Sequence, residues 1–277
     1  MCALVFADCR ASVPEQVFSR PLPAVAPPAP PASRGTWTYH PPTERHAYVL
    51  EQHAVLTIRQ DTAIRVDSVR SHAEVAFTST AATGRVTGSL SVFRVEGPAH
   101  ESSTPAGLVL PFAFSAEYPV HGRQLVFSTT NATAPCASRE LAVAQSLRDL
   151  WFQPPDTLQL GTTWDDSTSY VVCRDGILLR AIVQRIFRIT GMEQRAGRLA
   201  LLVSRSSRTT LEAEVPLPGE VIGVTGSGTG ELSYAIDPTN GEILLARGIA
   251  VLDLVVRSRL RAQHVHQISE TSVASGA

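Results

Sequence analysis

Cys136 and Cys173 are the pair whose type and setting point most directly to chemistry. Neither belongs to a C-x-x-C spacing of the kind that holds zinc. In an exported chain, two such distant thiols favour a disulfide tying the segment ahead of a helix to a strand, the alternative being two buried free thiols. Near the start, Cys9 follows Ala7 and Asp8, where a lipoprotein would carry small residues before a lipidated cysteine. The eight histidines are scattered, and His264 and His266 form the pair that would share one strand face. No third ligand follows from the spacing, so a solvated strand is expected there and no metal. Asp165 and Asp166 would point to opposite faces if extended, which makes them a poor acid and base pair, and a polar turn after Trp164 is expected instead.

Gly226-Ser227-Gly228-Thr229-Gly230 invites comparison with a phosphate-binding loop. The G-x-G-x-x-G fingerprint fails, because Glu231 or Ser233 stands where the third glycine is needed, and no G-K-[ST] follows. The glycines run in phase with Leu232, Tyr234 and Ile236, so they read as the inward face of a strand that bends sharply or lets another backbone approach. Neither a G-x-S-x-G elbow nor an H-E-x-x-H motif occurs. The expectation is therefore no catalytic, cofactor or metal residue, with a hydrolase of dispersed catalytic residues as an alternative. The Asn131-Ala132-Thr133 sequon reads as chance.

The elements that would carry these residues are mainly strands. Ala73, Val75 and Phe77 alternate with polar or small neighbours, as do Val86, Leu90 and Val92, then Phe112 and Phe114, Leu125 and Phe127, Leu199, Leu201 and Val203, and Ala250, Leu252, Leu254 and Val256. Asp175-Gly176 and Asn240-Gly241 are hairpin signals of the type I′ kind, in which both turn positions need positive φ, so the sheet should be antiparallel. From Leu178 to Ile189 both faces are apolar: Ala181, Val183, Phe187 and Ile189 on one, Leu178, Ile182 and Ile186 on the other. The first face would close the core, leaving the second for the helix or a ligand.

Ser138 to Trp151 breaks the pattern. Leu141, Ala144, Leu147, Leu150 and Trp151 fall at helical spacing, with Ser138 as N-cap and Pro154-Pro155 forbidding continuation. The fold class expected is a curved antiparallel sheet, half-barrel-like, with one amphipathic helix packed across it. As a lid, that helix would line a ligand groove with Leu141, Leu147, Leu150 and Trp151, completed by Trp164 from the strand that follows.

Composition bounds the rest. The chain has 277 residues, 44% hydrophobic and 18% charged, enough for a sizeable core. Its 24 basic residues are all arginine and face 25 acidic ones for a net charge of −1, which argues against general nucleic-acid binding. No run reaches the roughly 18 apolar residues of a membrane-spanning helix. Met1 to Ala7 reads as the tail of a signal sequence whose start lies upstream. Pro21 to Ser33 reads as an extended spacer spanning roughly 40 Å at about 3.1 Å per residue. Residues 1–35 are thus expected to be an export remnant and linker, and 36–277 a single β-rich domain.

Leu158-Gln159-Leu160-Gly161-Thr162-Thr163-Trp164-Asp165-Asp166, Cys173-Arg174-Asp175-Gly176, the glycine run and Asp237-Pro238-Thr239-Asn240-Gly241 together resemble a group of uncharacterised exported bacterial proteins. The resemblance covers about the C-terminal half, and its motifs are structural. More distantly, a long β-meander with one crossing helix is similar to the half-barrels that carry or receive lipoproteins in the bacterial envelope, and it implies acyl chains held on the concave face. The function expected is a periplasmic or outer-envelope, non-enzymatic binding protein for a lipid or other hydrophobic ligand. A scaffold or accessory subunit of an envelope complex is the rival.

Overall fold

The computed structural model describes residues 35–40, 42–80, 85–98, 100–117, 126–129, 138–150, 154–174, 177–195, 197–217, 220–259 and 261–276. Among them the dominant feature is a 12-stranded antiparallel sheet. Its strands are β2 (His46–Gln60), β3 (Ala63–Thr80), β4 (Arg85–Gly97), β5 (His100–Ser103), β6 (Phe112–Glu117) and β7 (Val126–Thr129), then β9 (Thr163–Arg174), β10 (Ile177–Arg195), β11 (Arg198–Leu217), β12 (Glu220–Ile236), β13 (Ile243–Arg257) and β14 (Ala262–Ser275). β1 (Thr36–Thr38) and β8 (Thr157–Gln159) form a separate two-stranded ribbon.

The sheet is two meanders joined at one seam. The spatial order is β7-β6-β4-β3-β2-β14-β13-β12-β11-β10-β9, with β5 paired to β4, so the C-terminal strand lies against the first long one. This leaves β7 and β9 as the outer strands of a curved, open sheet, the half-barrel-like class expected. The helix α1 (Arg139–Ser146) lies between those edges, packed against β6 and β7 on one side and β9 on the other. Ser138 caps it as expected, its hydroxyl accepting from the Leu141 N–H at 3.1 Å. The α-helix stops at Ser146, and a 3₁₀ turn over Arg148–Leu150 follows. The tighter turn keeps Leu150 on the face of Leu147, since i and i+3 eclipse in that geometry.

Three local expectations change. Val92 does not share the face of Leu90, because the register steps between Glu74 and Val75 and Phe93 takes the place opposite Ala73. The loop at Asn240-Gly241 does join a hairpin, but only Gly241 has positive φ there, at 69°. Asp237 builds a longer loop, its carboxylate accepting from the Thr239 N–H at 2.8 Å and its own N–H donating to the Glu242 carbonyl at 2.9 Å. Asp165 and Asp166 stand in β9 rather than in a turn, opposite Ile186 and Arg185 and thus on opposite faces. The Asp175-Gly176 turn lies outside the described residues, although Arg174 and Ile177 pair across it.

The main core fills one end of the curve. Leu141, Ala144, Leu147 and Leu150 bury their faces against Phe114, Phe127, Phe187, Ile189, Val203 and Tyr234. Tyr48 stacks on Phe77 with ring centroids 4.8 Å apart, and Trp164 on Phe187 at 5.0 Å and 3° between planes. The Leu158–Trp164 segment is a structural connector. Leu158 is buried and pairs with Trp37, Gly161 turns the chain at φ 88°, and Gly161 N–H and Thr162 C=O bond the main chain of Ile189 at 2.9 Å each.

Candidate functional site

Because β10 to β14 run 14 to 20 residues each, they extend well past the end that the helix covers. The register turns that extra length into ordered rows across the concave face. Nearest the core, Arg205 on β11 lies beside Leu232 and Gly248, and Gly248 beside Thr271 and then Gln52. The next row holds Asp166, Arg185, Ser207, Gly230, Ala250 and Ser269. Together these rows make a polar belt. Four residues beyond the Ser207 row, past a mixed row of Val183, Thr209, Gly228, Leu252 and Gln267, the residues Ala181, Leu211, Gly226, Leu254, Val265 and Ile58 stand side by side with no polar side chain among them.

The deepest groups of the belt bond within the protein, although the buried Arg205 Nε has no hydrogen-bond partner among the described residues. Arg185 is 3% exposed and grips Asp166 through both Nε and Nη2, each 2.6 Å from a carboxylate oxygen. Arg205, also buried, donates from Nη1 to the Tyr234 hydroxyl at 3.3 Å, and Ser207 Oγ donates to the Gly230 carbonyl at 3.3 Å. Gln267 Nε2 donates to Ser269 Oγ at 2.7 Å. A cavity of about 290 Å³ opens beside these groups, with Val183, Leu211, Leu252 and Leu254 along its other side.

Gly228, from the glycine run, and Gly248 on the neighbouring strand line this cavity. Gly226, Gly228 and Gly230 share the face of Leu232, Tyr234 and Ile236, as the alternation implied. A Cβ added at Gly228 would stand 2.5 Å from the Val251 carbonyl oxygen, and one at Gly248 2.2 Å from that of Glu231. Neighbouring backbones therefore approach more closely than side chains would permit, which lets the sheet curl tightly there.

Of the groove residues expected from the sequence, Leu141, Leu147 and Leu150 are 1%, 2% and 4% exposed and belong to the packed core. Trp164 is partly buried on Phe187. Trp151 and Cys136 lie outside the described residues, and of Cys173 the structure gives its place in β9, paired with Leu178. The helical segment reaches the cavity through Arg148 instead. Leu178, Ile182 and Ile186 lie on the outer, convex face, 53%, 37% and 58% exposed, so the second apolar face of β10 meets neither helix nor trough. Sequence reasoning did not single out Arg148, Arg205, Ser207, Ser269 or Gln267. The signal available was the inward series Val203, Arg205, Ser207, Thr209, Leu211, which turns polar and then apolar again.

A second polar cluster clasps the two meanders at the core end. Arg198 Nη2 donates to Asp237 Oδ2 and Glu242 Oε2, both at 2.6 Å, Ser275 Oγ donates to Glu242 Oε1 at 2.6 Å, and His46 Nδ1 lies 3.7 Å from Glu242. Burial pushes the Glu242 carboxyl up, but the bonds from Arg198 and Ser275 outweigh it and hold the group below its ordinary range. Asp237 behaves alike, with Thr239 and Arg198 overcoming burial. Burial also pushes the Tyr48 hydroxyl up, so it stays neutral opposite the Ile243 N–H. On the convex face, His266 is held by Asp253 at 2.7 Å and His264 lies beside Arg59. Among the described residues no group of three or more His, Cys, Asp or Glu is placed to hold a metal ion.

No family model matches the chain, and no curated protein does. Solved structures align over much of it at low similarity. Pseudomonas aeruginosa OccK2 (OpdF) in complex with glucuronate shares 8% identity over 86% of this chain and 100% of its own, with a TM-score of 0.27. The COG4313 outer membrane channel from Pseudomonas putida F1 shares 11% over 88% and 100%, at 0.25. A DUF1329 family protein from Desulfovibrio piger ATCC 29098 shares 9% over 83% and 86%, at 0.15. Superpositions this loose carry no inference about function.

Proposed function

We propose that this chain is a non-enzymatic binding protein of a bacterial envelope that holds a hydrophobic ligand in the open end of its trough. The observation that carries the reading is the inward apolar row of Ala181, Leu211, Leu254, Val265 and Ile58, set past a polar belt at the end away from α1. Apolar surface turned inward beside a cavity gains by taking up an apolar ligand, at roughly 25 cal/mol per Å² covered. An envelope location, with residues 1–35 as leader and linker, 36–277 as one domain and a Cys136–Cys173 disulfide, belongs to the same proposal. It is supported by the apolar run at Met1 to Ala7 and the proline-rich stretch that follows.

The rival readings find less support. A scaffold would use a continuous apolar patch on the convex face. There, Ile186 stands between Asp165 and Ser206, Ile182 between Ser169 and Thr210, and Ile249 between Glu231 and Glu270. Arg188, Arg208, Glu212, Arg247 and Glu270 are also exposed on that face, and each Arg would cost about 2–4 kcal/mol at a bilayer midplane, which disfavours a lipid-facing wall. A hydrolase would need a base beside Ser207 or Ser269, whose hydrogen-bond partners here are a main-chain carbonyl and the Gln267 amide.

Titration with the fluorescent probe N-phenyl-1-naphthylamine tests the proposal. Saturable binding is expected. Leu211→Glu, which places a charge in the apolar row, should weaken it at least tenfold while leaving the protein folded by circular dichroism. Leu147→Ala, beneath the helix, should lower stability and leave the affinity of the folded protein unchanged. Absence of saturable binding would return the scaffold reading to first place.

A further inference from the structure

We infer that two copies of this chain associate edge to edge, the uncovered start of β3 pairing antiparallel with the same segment of a second copy about a twofold axis at Val66. The inference is independent of whether the trough takes a ligand. β3 pairs with β2 from Ala63 to Phe77, but β4 covers its other side only from Arg70 onward. Among the described residues, no strand pairs with residues 63–69 on that side. Exposure follows from this: Ile64 is 65% and Val66 63% exposed, in a stretch where residues 63–66 and 68 all lie open. An edge of this kind is a template for another strand, since its main-chain N–H and C=O groups point outward in a row.

The hairpin before this edge fixes which groups those are. Asp61 and Thr62 form the turn, Asp61 at φ 52°, so Gln60 and Ala63 flank it as a hydrogen-bonded pair. Antiparallel ladders alternate, so Ala63, Arg65 and Asp67 direct their main-chain groups to β2, while Ile64, Val66 and Ser68 direct theirs to the open side. Pairing about Val66 sets Val66 against its own copy and Ile64 against Ser68 of the second copy, closing about six main-chain hydrogen bonds. The charges select this register. Arg65 and Asp67, bonded to each other at 2.6 Å within one chain, stand on the concave face beside Ile58 and Leu56. About Val66, each Arg65 lies directly across from Asp67 of the second copy while keeping its own-chain bond, so four charges alternate in sign. Moving the axis by one residue sets Arg65 against Arg65 or Asp67 against Asp67, and like charges directly opposite are destabilising. Many edges are guarded by an inward charge that a pairing strand would bury without a counter-ion. This one carries two opposite charges spaced to match across a twofold, which favours a second copy over an unrelated strand.

Sedimentation velocity of the full chain over a hundredfold range of concentration is the test, and a reversible monomer–dimer equilibrium is expected. Val66→Pro, which removes a donor on the open side, should weaken the dimer at least tenfold. Val66→Lys and Val66→Asp each set two like charges face to face at the axis and should do the same. Because Val66 is exposed, these two variants should keep the circular dichroism of the wild type, and they decide the matter where Val66→Pro fails to fold. An equimolar mixture of Val66→Lys and Val66→Asp should recover the dimer, since residue 66 then meets the opposite charge; an effect on the fold of one chain would not be repaired by mixing. A wild type that stays monomeric throughout would overturn the inference, as would a dimer that survives Val66→Lys or a mixture that stays monomeric while the wild type pairs. Association that continues past the dimer would mean that β3 pairs with a different edge, and would overturn it as well.

Discussion

The same long strands build two different ends. At one, Phe187, Ile189, Val203 and Tyr234 are covered by Leu141, Leu147 and Leu150 and packed to near-zero exposure. At the other, a few residues further along β10 and β11, Ala181 and Leu211 face inward in a smaller cluster with Val183. Inward orientation is set by the strand repeat of two and is identical in both places. What differs is the element laid on top. The lesson is that a curved sheet longer than its helix has a covered half and an uncovered half, with the polar belt marking the border.

Core truncation tests that division most severely. Phe187→Ala should cost about 3–5 kcal/mol, because it removes a fully buried ring and the stack with Trp164. Leu211→Ala, at a half-buried position, should cost no more than about 1 kcal/mol. Urea midpoints measure both, and equal losses would mean that the two ends are packed alike. The border itself is probed by Gly228→Val. Its side chain would meet the Val251 carbonyl and overpack that site by about 1–3 kcal/mol. Unchanged thermal stability in that variant would show that the bend is not crowded. Closing the inner end also involves the carboxylate clasp. Glu242 has a lowered pKa, so its contribution is full above its unfolded value near pH 4.5 and is lost as pH falls through the folded value. Glu242→Gln should therefore cost about 1 kcal/mol at neutral pH, with the deficit shrinking as the pH falls below about 4.5. A deficit that stays constant from pH 7 to pH 3 would assign the loss to shape rather than charge.

Most of the local order was legible in the chain. Alternation placed Ala73, Val75 and Phe77, Leu201 and Val203, and the glycine run with Leu232 and Tyr234 on one face, and Ser138 announced the helix it caps. Val92 and the Asn240-Gly241 turn were misread for local reasons: a bulge resets the phase without a sequence mark, and Asp237 captures Thr239 before the following pair can form the shorter turn. The clasp of Arg198, Asp237, Glu242 and Ser275 was not legible, since its members join parts of the chain as far apart as β11 and β14.

By itself, the sequence determined which side chains share a strand face, because that follows from a period of two and needs no partner. It also determined that Leu141, Leu147 and Leu150 would share the apolar stripe of a short helix, although the expected ligand groove beneath that stripe is packed core instead. Only the tertiary structure decided where along the strands that cover ends. The order of strands, the pairing of β14 with β2 and the seating of α1 between β7 and β9 depend on contacts between residues far apart in the chain. Those contacts bring Arg148 to the cavity that Arg205 also lines and leave Leu211 and Leu254 on the inward side beyond the helix, and no pattern within a single segment encodes them.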